Sequence, residues 1–512
     1  MSGEKRCALL AAILGSGIVF LDGTIVNVAL PAIRQSLSGG LATQQWVVEA
    51  YLLTLASLLL VGGSLGDILG RRRVFQAGLV GFGICSLACA LAPSAPVLIA
   101  ARAIQGIAGA LLVPSTLALI MDTFEQNEQA KAIGSWTAWT GIATVIGPLG
   151  GGAIVQEISW RWIFAVNLVP VVATLYLLSK LPGDRTNPGR VDLTGAVLCI
   201  LGLAGPVFAL IEQPNHGWDS ALVLIPLIAG VALFATFLTW ERRSAAPMMP
   251  LELFRVRNFS VGNVTTLALY AGLNVAVFFV IVFEQQVGGF TPIAAGLSLL
   301  PITLVMFTLS RRAGALATKL GPHRFMAAGP IIAGAGLLLL TRVGAHVDYL
   351  TQILPGVLVF ALGLAATVAP LTATVLGAVA PGHSGVASGI NNAVARVAGL
   401  LAIAALGAVV ASSFQARLNT DLQNKPLTPI TLAAVAKARQ RPLVINASAA
   451  TPSQRAEVRL ALRDASVDAV RTGLRIGAVL AILGGIASLI GIKDPRRPTT
   501  GLPASSGARA PA

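Results

Sequence analysis

The sequence predicts an all-α polytopic membrane protein of fourteen transmembrane helices, built as two six-helix halves with pseudo-two-fold symmetry around an inserted helix pair (6+2+6). Three observations support this prediction: a mean hydropathy of +0.79, a charged fraction of only 11%, and long apolar runs between short polar breaks. Soluble domains contain roughly 25% charged residues, and soluble cores stop growing near ~250–300 residues. The composition therefore excludes a soluble enzyme, a disordered chain and a disulfide scaffold.

Each apolar run is long enough to cross the hydrocarbon layer, which takes roughly 20 helical residues. Backbone groups in lipid must be satisfied within their own segment, so these runs are predicted to be helices. Fourteen spans are predicted, at 7–33, 45–65, 74–93, 95–121, 133–156, 161–181, 192–212, 221–240, 260–284, 292–314, 324–343, 350–378, 385–412 and 472–492.

Grouping these spans gives the expected domain organisation. An N-terminal half covers 1–181, and an inserted pair with its linkers covers 182–257. A C-terminal half covers 258–492, and a tail covers 493–512. The C-terminal half includes a long polar loop at 413–471, in which part of the chain is expected to form a short amphipathic helix.

The net charge of +15 is interpreted as a topology signal, because most Lys and Arg fall in every second short loop. Short loops rich in Lys and Arg lie in the cytoplasm. Both termini are therefore expected in the cytoplasm, and loop 413–471 is expected outside. Abundant Arg, Ala and Gly are typical of a GC-rich bacterial genome, which indicates the bacterial plasma (inner) membrane. The expected surroundings are thus a lipid bilayer, and no nucleic acid is expected as a partner.

An internal repeat supports two related halves. The segment 63–73 and the segment 314–324 share the same spacing of Gly and Leu, 251 residues apart. The second copy has Thr318 where the first has Asp67. Parallel halves around a site near the membrane midplane are a transporter design.

Asp22 lies inside the first span. An intramembrane carboxylate costs roughly 2.5–3.5 kcal/mol on insertion scales, so a functional role is the default. A buried carboxyl group also suits a site that takes up and releases protons. Thr24 and Asn27 lie within one turn, where they are expected to bond Asp22 or to line a cavity. A structural Asp bonded to a neighbouring backbone is the alternative.

These segments resemble the major facilitator superfamily, and within it the fourteen-span drug:proton antiporters. The segment 63–73 is similar to the loop signature of that family, although Ile68 replaces the usual basic residue. The resemblance implies a gate that latches the two halves, in which Asp67 meets the start of span 13 and Arg71 pairs with Asp122. The expected gate residues in and near this loop are Gly63, Gly66, Asp67, Gly70, Arg71 and Asp122.

Two further motifs follow the same resemblance. Arg102 in span 4 resembles the buried Arg of the family, which implies that it sets the proton affinity of Asp22. Gly147, Pro148 and Gly151 in span 5 resemble the antiporter motif of exporters. Proline removes a helix hydrogen bond and glycines permit close packing, so this segment is expected to allow the conformational change.

Several other polar and aromatic residues are candidates for the substrate cavity. Intramembrane charges rarely face lipid, and aromatic rings offer π faces to cations. Interfacial, core or lipid-facing roles remain open for them. The candidates are Glu49, Glu284, Asn391, Asn392, Arg396, Trp136, Trp139, Phe279 and Phe283.

The predicted function is a proton-coupled secondary exporter of amphipathic compounds, cationic ones among them, that works by alternating access. Protons are the expected coupling ion, with no cofactor, no metal site and no obligate protein partner. An enzyme is not expected, because the sequence lacks HExxH, a phosphate-binding Gly-rich loop and a paired-cysteine site. An exporter of an endogenous metabolite or lipid, an importer and a non-transporting membrane sensor remain as alternatives.

Overall fold

The computed structural model describes residues 2–181, 191–245, 247–344, 347–380, 384–423, 425–439 and 441–494. Some side chains of spans 2 and 5 within these ranges lie outside the description, that of Asp67 among them. The predicted linker at 182–190 and the tail from residue 495 onward also lie outside it. The described residues contain helices and no strand, as the sequence predicted.

A helix occupies each of the fourteen predicted spans. Spans 1–6 are Gly3–Ser36, Leu41–Leu69, Arg71–Ala90, Ala95–Thr123, Gln126–Glu157, and the two pieces Trp162–Ala165 and Leu168–Ser179. Spans 7 and 8 are Leu193–His216 and Ala221–Arg243, followed by a short 3-10 helix at Leu251–Arg255. Spans 9–14 are Arg257–Gln286, the pieces Pro292–Ser298 and Leu300–Leu320, Pro322–Leu340, Tyr349–Gly377 with a π-helical first turn, Ser384–Leu422, and Arg455–Gly491. Thirteen of the described helices are long and apolar enough to cross a membrane, and predicted span 5 lies within Gln126–Glu157.

The predicted loop 413–471 is largely helical, so its expected boundaries are wrong. Span 13 continues to Leu422, span 14 begins at Arg455, and a short helix, Pro429–Arg439, lies between them. The extra turns are held by protein packing, since Phe414 and Leu462 are completely buried. A hydropathy profile detects contact with lipid, and it misses helical turns that pack on protein beyond the bilayer.

Two ends of the bundle can now be defined. The segment 425–454 covers one end and is called the cap, and that end is called the cap end. The opposite end, where span 1 begins at Gly3 and span 14 finishes at Gly491, is called the terminal end.

The internal repeat is visible in the backbone. Gly70 has φ +100° and separates the second and third helices of the N-terminal half. Gly321 has φ +94° and separates the corresponding helices of the C-terminal half. L-residues with a side chain rarely adopt this conformation, which explains why glycine recurs at both positions, 251 residues apart.

The two halves touch near the cap end. Gln285 of span 9 donates a hydrogen bond to the carbonyl oxygen of Val28 in span 1, at 3.0 Å. Gln45 of span 2 donates to the carbonyl oxygen of Ile403 in span 13, at 2.8 Å. These contacts join the halves where the cap covers them.

The inserted pair covers one seam between the halves. Leu203 and Val207 of span 7 pack in one apolar cluster with Leu53 of span 2 and Leu400 of span 13. Nearby, the indole of Trp46 donates to Glu212, with 2.9 Å between Nε1 and Oε1. Span 7 therefore contacts both halves at once.

Candidate functional site

Asp22 sits at the centre of a buried polar cluster in the N-terminal half. Its side chain is 0% exposed. Oδ2 accepts a hydrogen bond from Nη1 of Arg102 at 2.5 Å. Oδ1 accepts from the amides of Asn167 at 3.0 Å and Gln105 at 3.3 Å. Span 1 is thereby tied through one carboxylate to spans 4 and 6.

Arg102 is 1% exposed and makes several further contacts. Its Nε donates to the carbonyl oxygen of Val47 in span 2 at 3.0 Å, and Nη1 also donates to Oε1 of Gln105 at 2.7 Å. The guanidinium carbon lies 4.1 Å from the centre of the Tyr51 ring, a cation–π distance. Because arginine keeps its charge in proteins, the cation is fixed here and only the carboxylate opposite it can change charge.

Ser86 completes the cluster from span 3. Its hydroxyl oxygen accepts from the amide of Gln105 at 2.9 Å and from that of Asn167 at 3.4 Å. Gln105 and Arg102 share a helix face because they are three residues apart. Asn167 lies at the break between the two helical pieces of span 6.

Among the described residues, Thr24 and Asn27 do not bond Asp22, and their expected place in a cavity lining stays a prediction. The Thr24 hydroxyl donates to carbonyl oxygens of its own helix, at 3.0 Å for Leu21. The Asn27 amide likewise donates to the carbonyl of Gly23, at 3.2 Å. Short polar side chains in helices often bond back to the preceding turn. The amide partners of Asp22 are Gln105 and Asn167, two polar residues within apolar spans.

The predicted motif in span 5 packs directly against span 1. A Cβ atom added to Gly147 would lie 2.2 Å from Oγ1 of Thr24, and one on Gly151 would lie 2.4 Å from Cγ1 of Ile25. The other side of the motif meets span 10, where a Cβ on Gly296 would lie 2.3 Å from the carbonyl oxygen of Pro148. Span 5 therefore packs between span 1 of its own half and span 10 of the opposite half.

At the terminal end, Arg71 and Asp122 form an ion pair with 2.6 Å between Nη1 and Oδ1. A Cβ on Gly66 would lie 3.6 Å from Cγ of Arg71, and one on Gly63 would lie 3.7 Å from Pro114. The side chain of Asp67 lies outside the described residues. The pair joins the start of span 3 to the end of span 4.

The two acidic cavity candidates are enclosed by protein. Glu49 and Glu284 are each 0% exposed. Oε2 of Glu284 accepts from the hydroxyl of Ser298 at 2.7 Å. Both oxygens of Glu49 and Oε1 of Glu284 have no hydrogen-bond partner among the described residues. Among all the residues that the structure describes, no group of three His, Cys, Asp or Glu side chains could hold a metal ion.

The aromatic candidates differ in burial. Phe279 and Phe283 are each 1% exposed and pack in the main apolar core. Trp139 is 56% exposed. Trp136 donates from its indole to the hydroxyl of Ser16 at 3.0 Å. Sequence periodicity could not resolve these positions, because apolar spans show little contrast between protein-facing and lipid-facing sides.

The span 13 candidates differ from one another. Asn391 donates to the hydroxyl of Thr266 in span 9 at 2.7 Å. Asn392 is exposed and donates to its own helix at the carbonyl of Ser388. Arg396 is partly buried, with its guanidinium carbon 5.9 Å from the centre of the Phe20 ring in span 1. Of the three, Arg396 is the one that points across the interface between the halves.

A family profile described as Major Facilitator Superfamily matches residues 12–403. The chain belongs to the major facilitator superfamily. It is therefore a multi-pass membrane transporter rather than an enzyme, as the sequence predicted. The profile covers most of the chain, and it includes the Asp22 cluster.

Named relatives of this superfamily member narrow the comparison. The chain is 35% identical over 433 residues to the multidrug resistance protein Stp of Mycobacterium tuberculosis, covering 84% of this chain and 80% of that one. It is also 35% identical over 420 residues to the tetracenomycin C resistance and export protein of Streptomyces glaucescens, covering 80% and 77%. A bacterial homologue of the human lysosomal transporter Spinster has a similar fold, with a TM-score of 0.62 at 16% identity, covering 96% and 98%. The two sequence relatives are named for multidrug resistance and for resistance and export, and the structural likeness shows the fold alone.

Proposed function

We propose that the chain is a proton-coupled drug exporter of the bacterial plasma membrane, moving amphipathic organic compounds outward in exchange for protons, with both termini in the cytoplasm. The observation that carries the proposal is the fully buried pair of Asp22 and Arg102. The relatives named for multidrug resistance and for resistance and export support the outward direction.

The buried pair can act as a proton-operated connection. A buried carboxylate is stable when it is paired and hydrogen-bonded, and a proton on Asp22 removes its attraction for Arg102. The carboxylate becomes a neutral acid, and Arg102 keeps its bonds to Val47 and Gln105. Protonation therefore loosens span 1 from span 4, whereas release of the proton re-forms the pair.

Movement of span 1 reaches the rest of the molecule by direct contact. Span 1 packs on Gly147 and Gly151 of span 5, and its Val28 carbonyl binds Gln285 of span 9. Protein interiors are close-packed and transmit displacement. In this scheme Pro148 supplies the flexible point in span 5. The gate that the family resemblance implies, Asp67, Arg71 and Asp122, lies at the terminal end, where the Arg71–Asp122 pair connects spans 3 and 4.

The test is Asp22→Asn in proteoliposomes with an imposed pH gradient, with fluorescein, rhodamine 123 and tetracenomycin C as transported compounds. We expect pH-driven transport of every compound that the wild type moves to fall to background, because an amide cannot exchange a proton. The matched control is Asp421→Asn, which removes an exposed carboxylate paired with Arg417. Undiminished pH-driven transport by Asp22→Asn, at equal protein in the membrane, would remove Asp22 from the mechanism.

A further inference from the structure

A cavity of about 740 Å³ lies beneath the cap. Span 1 contributes Arg34, span 9 contributes Gln286, and the cap contributes Lys437 and Arg441. The volume is in the range of sites that enclose drug-sized molecules, roughly 300–1,000 Å³. Because its walls come from both halves and the cap, the cavity lies where a compound leaving the bundle at this end would pass.

The charge of the cavity is one-sided. Its lining includes three cationic side chains and no Asp or Glu among the described residues. Among the described residues, no acidic side chain forms an ion pair with Arg34, Lys437 or Arg441. Two other cations at this end are paired, since Arg417 binds Asp421 at 3.2 Å and Lys425 binds Glu457 at 2.9 Å. The three cations that line the cavity carry charges that no described acid pairs with.

Polar atoms in the wall also lack partners. Nε of Arg34 and both amide atoms of Gln286 are shielded from solvent without a hydrogen bond in the described structure. Native proteins satisfy nearly all such atoms. Arg34 and Gln286 both line the cavity, so a rotation of either side chain would let a ligand with acceptor oxygens satisfy an unpaired donor.

A second cation lies between the halves, farther from the cap. Arg396 of span 13 faces Phe20 and is within electrostatic range of the Tyr51 and Tyr270 hydroxyl groups. No described acidic side chain forms an ion pair with it. Phe20 precedes Arg34 by fourteen residues, so the two levels are about 21 Å apart along span 1 at 1.5 Å per residue.

The buried acids give no matching site for a cation. Glu49 and Glu284 are completely enclosed, and neither lines the cavity. Glu284 is already bonded to Ser298. The cationic substrates expected from the sequence therefore meet positive side chains, both beneath the cap and at Arg396.

We propose that the transported compounds carry an acidic group, a carboxylate or an ionised phenol, which is bound beneath the cap by Arg34, Lys437 and Arg441. This inference rests on the proposed exporter function and specifies its substrate class. Arg396 attracts the same group between the halves, and the aromatic rings beside it accept the apolar part. Guanidinium groups bind carboxylates with paired hydrogen bonds, and a cavity lined by one sign of charge concentrates the opposite ion.

Two dyes with the same xanthene ring system test the inference, namely fluorescein, an anion at pH 7.4, and rhodamine 123, a cation. Binding to the purified full-length protein is measured by fluorescence anisotropy without a pH gradient. We expect saturable fluorescein binding that is tighter than rhodamine 123 binding and that weakens as salt is added. Arg34→Gln and Arg441→Gln are each expected to weaken it roughly tenfold or more, the loss of one charge-assisted contact.

Two variants control this measurement. Arg34→Lys keeps the charge and is expected to keep most of the affinity, which separates charge from folding. Arg417→Gln removes a cation at the same end that does not line the cavity, and it is expected to bind like the wild type. No saturable fluorescein binding, tighter rhodamine 123 binding, or an affinity unchanged in both glutamine variants overturns the inference.

Transport of the same dyes in proteoliposomes separates this inference from the proposed function. If the pH gradient drives rhodamine 123 and not fluorescein, the exporter function stands and the anionic substrate class is wrong. If fluorescein binds as expected but the gradient drives neither dye, the exporter function fails, and the substrate assignment fails with it. Gradient-driven transport of fluorescein that is reduced in Arg396→Gln supports both.

Discussion

At the residue scale, Asp22 accepts hydrogen bonds from three side chains on two other spans, 4 and 6. Arg102, Gln105 and Asn167 all donate to its two oxygens. A buried ion pair with this many supporting bonds is expensive to break, because removal of one partner leaves an uncompensated charge away from water. The cluster therefore holds spans 1, 4 and 6 together through one carboxylate.

This reasoning predicts strong coupling between the two charges in stability. We expect Arg102→Gln to destabilise the protein by about 3–5 kcal/mol, because the Asp22 carboxylate is then buried alone. Adding Asp22→Asn should restore much of the loss, because neither charge remains. Thermal unfolding of the purified variants measures the effect.

The control is the exposed pair of Arg417 and Asp421, whose removal should change stability by about 1 kcal/mol or less. The coupling is contradicted if the stability loss of the double variant equals the sum of the losses in Asp22→Asn and Arg102→Gln.

At the element scale, span 5 is the helix that contacts both halves through small residues. Gly147 and Gly151 let it approach span 1, and Pro148 contacts Gly296 of span 10. Close approach needs small residues because association in lipid depends on packing rather than on the hydrophobic effect. The spacing of the motif predicted close packing, but the identity of both neighbours came from the tertiary structure.

We predict that Gly147→Ala strongly reduces transport. Its Cβ would lie 2.2 Å from Oγ1 of Thr24, so spans 1 and 5 must move apart, at a typical cost of about 1–3 kcal/mol for overpacking. Thr24→Ala in the same chain removes that oxygen and should recover part of the activity. Initial transport rates in proteoliposomes measure both effects.

Gly150→Ala is the matched control within the same motif. The nearest atom to its added Cβ is 3.9 Å away, in Ile146 of the same helix. Equal losses in Gly147→Ala and Gly150→Ala would show that helix propensity, rather than contact with span 1, limits transport.

At the scale of the whole molecule, the halves are joined near the cap end and bridged on one side by span 7. Alternating access requires the contacts between halves to part in turn. The bond from Gln45 to the Ile403 carbonyl is one such contact. Its neighbour Gly407 lies so close that a Cβ there would be 1.9 Å from the Gln45 side chain.

This geometry predicts that tying the halves together at this point stops transport. Gln45→Cys and Gly407→Cys are introduced after the four native cysteines, all free, are replaced by Ser. A short thiol-reactive cross-linker that contains a disulfide should abolish transport. Cleavage of the linker by a reducing agent should restore it. Transport is measured before and after this reduction.

A cross-link within one half is the control. Gly83→Cys and Val171→Cys join spans 3 and 6, where a Cβ on Gly83 would lie 3.2 Å from Val171. Transport should persist with this link, because it connects two spans of one half and does not tie the two halves together. Full activity with the Gln45 and Gly407 positions linked would mean that the halves do not separate there.

The sequence by itself determined the all-helical membrane fold, the fourteen spans and the repeat marked by Gly70 and Gly321. It also identified Asp22 and Arg102 as buried charges. These features are readable because a helix in lipid satisfies its backbone locally, so its presence follows from its own residues. Charges in apolar spans are conspicuous for the same reason.

Only the tertiary structure decided which residues meet. It brought Gln105 and Asn167 to Asp22, turned Thr24 back onto its own helix, and left Arg396 without an acidic partner among the described residues. It also made most of the loop 413–471 helical and formed a cationic cavity beneath it. These outcomes depend on which face of each helix packs against helices distant in sequence, and a single helix carries too little contrast between its faces to specify that choice.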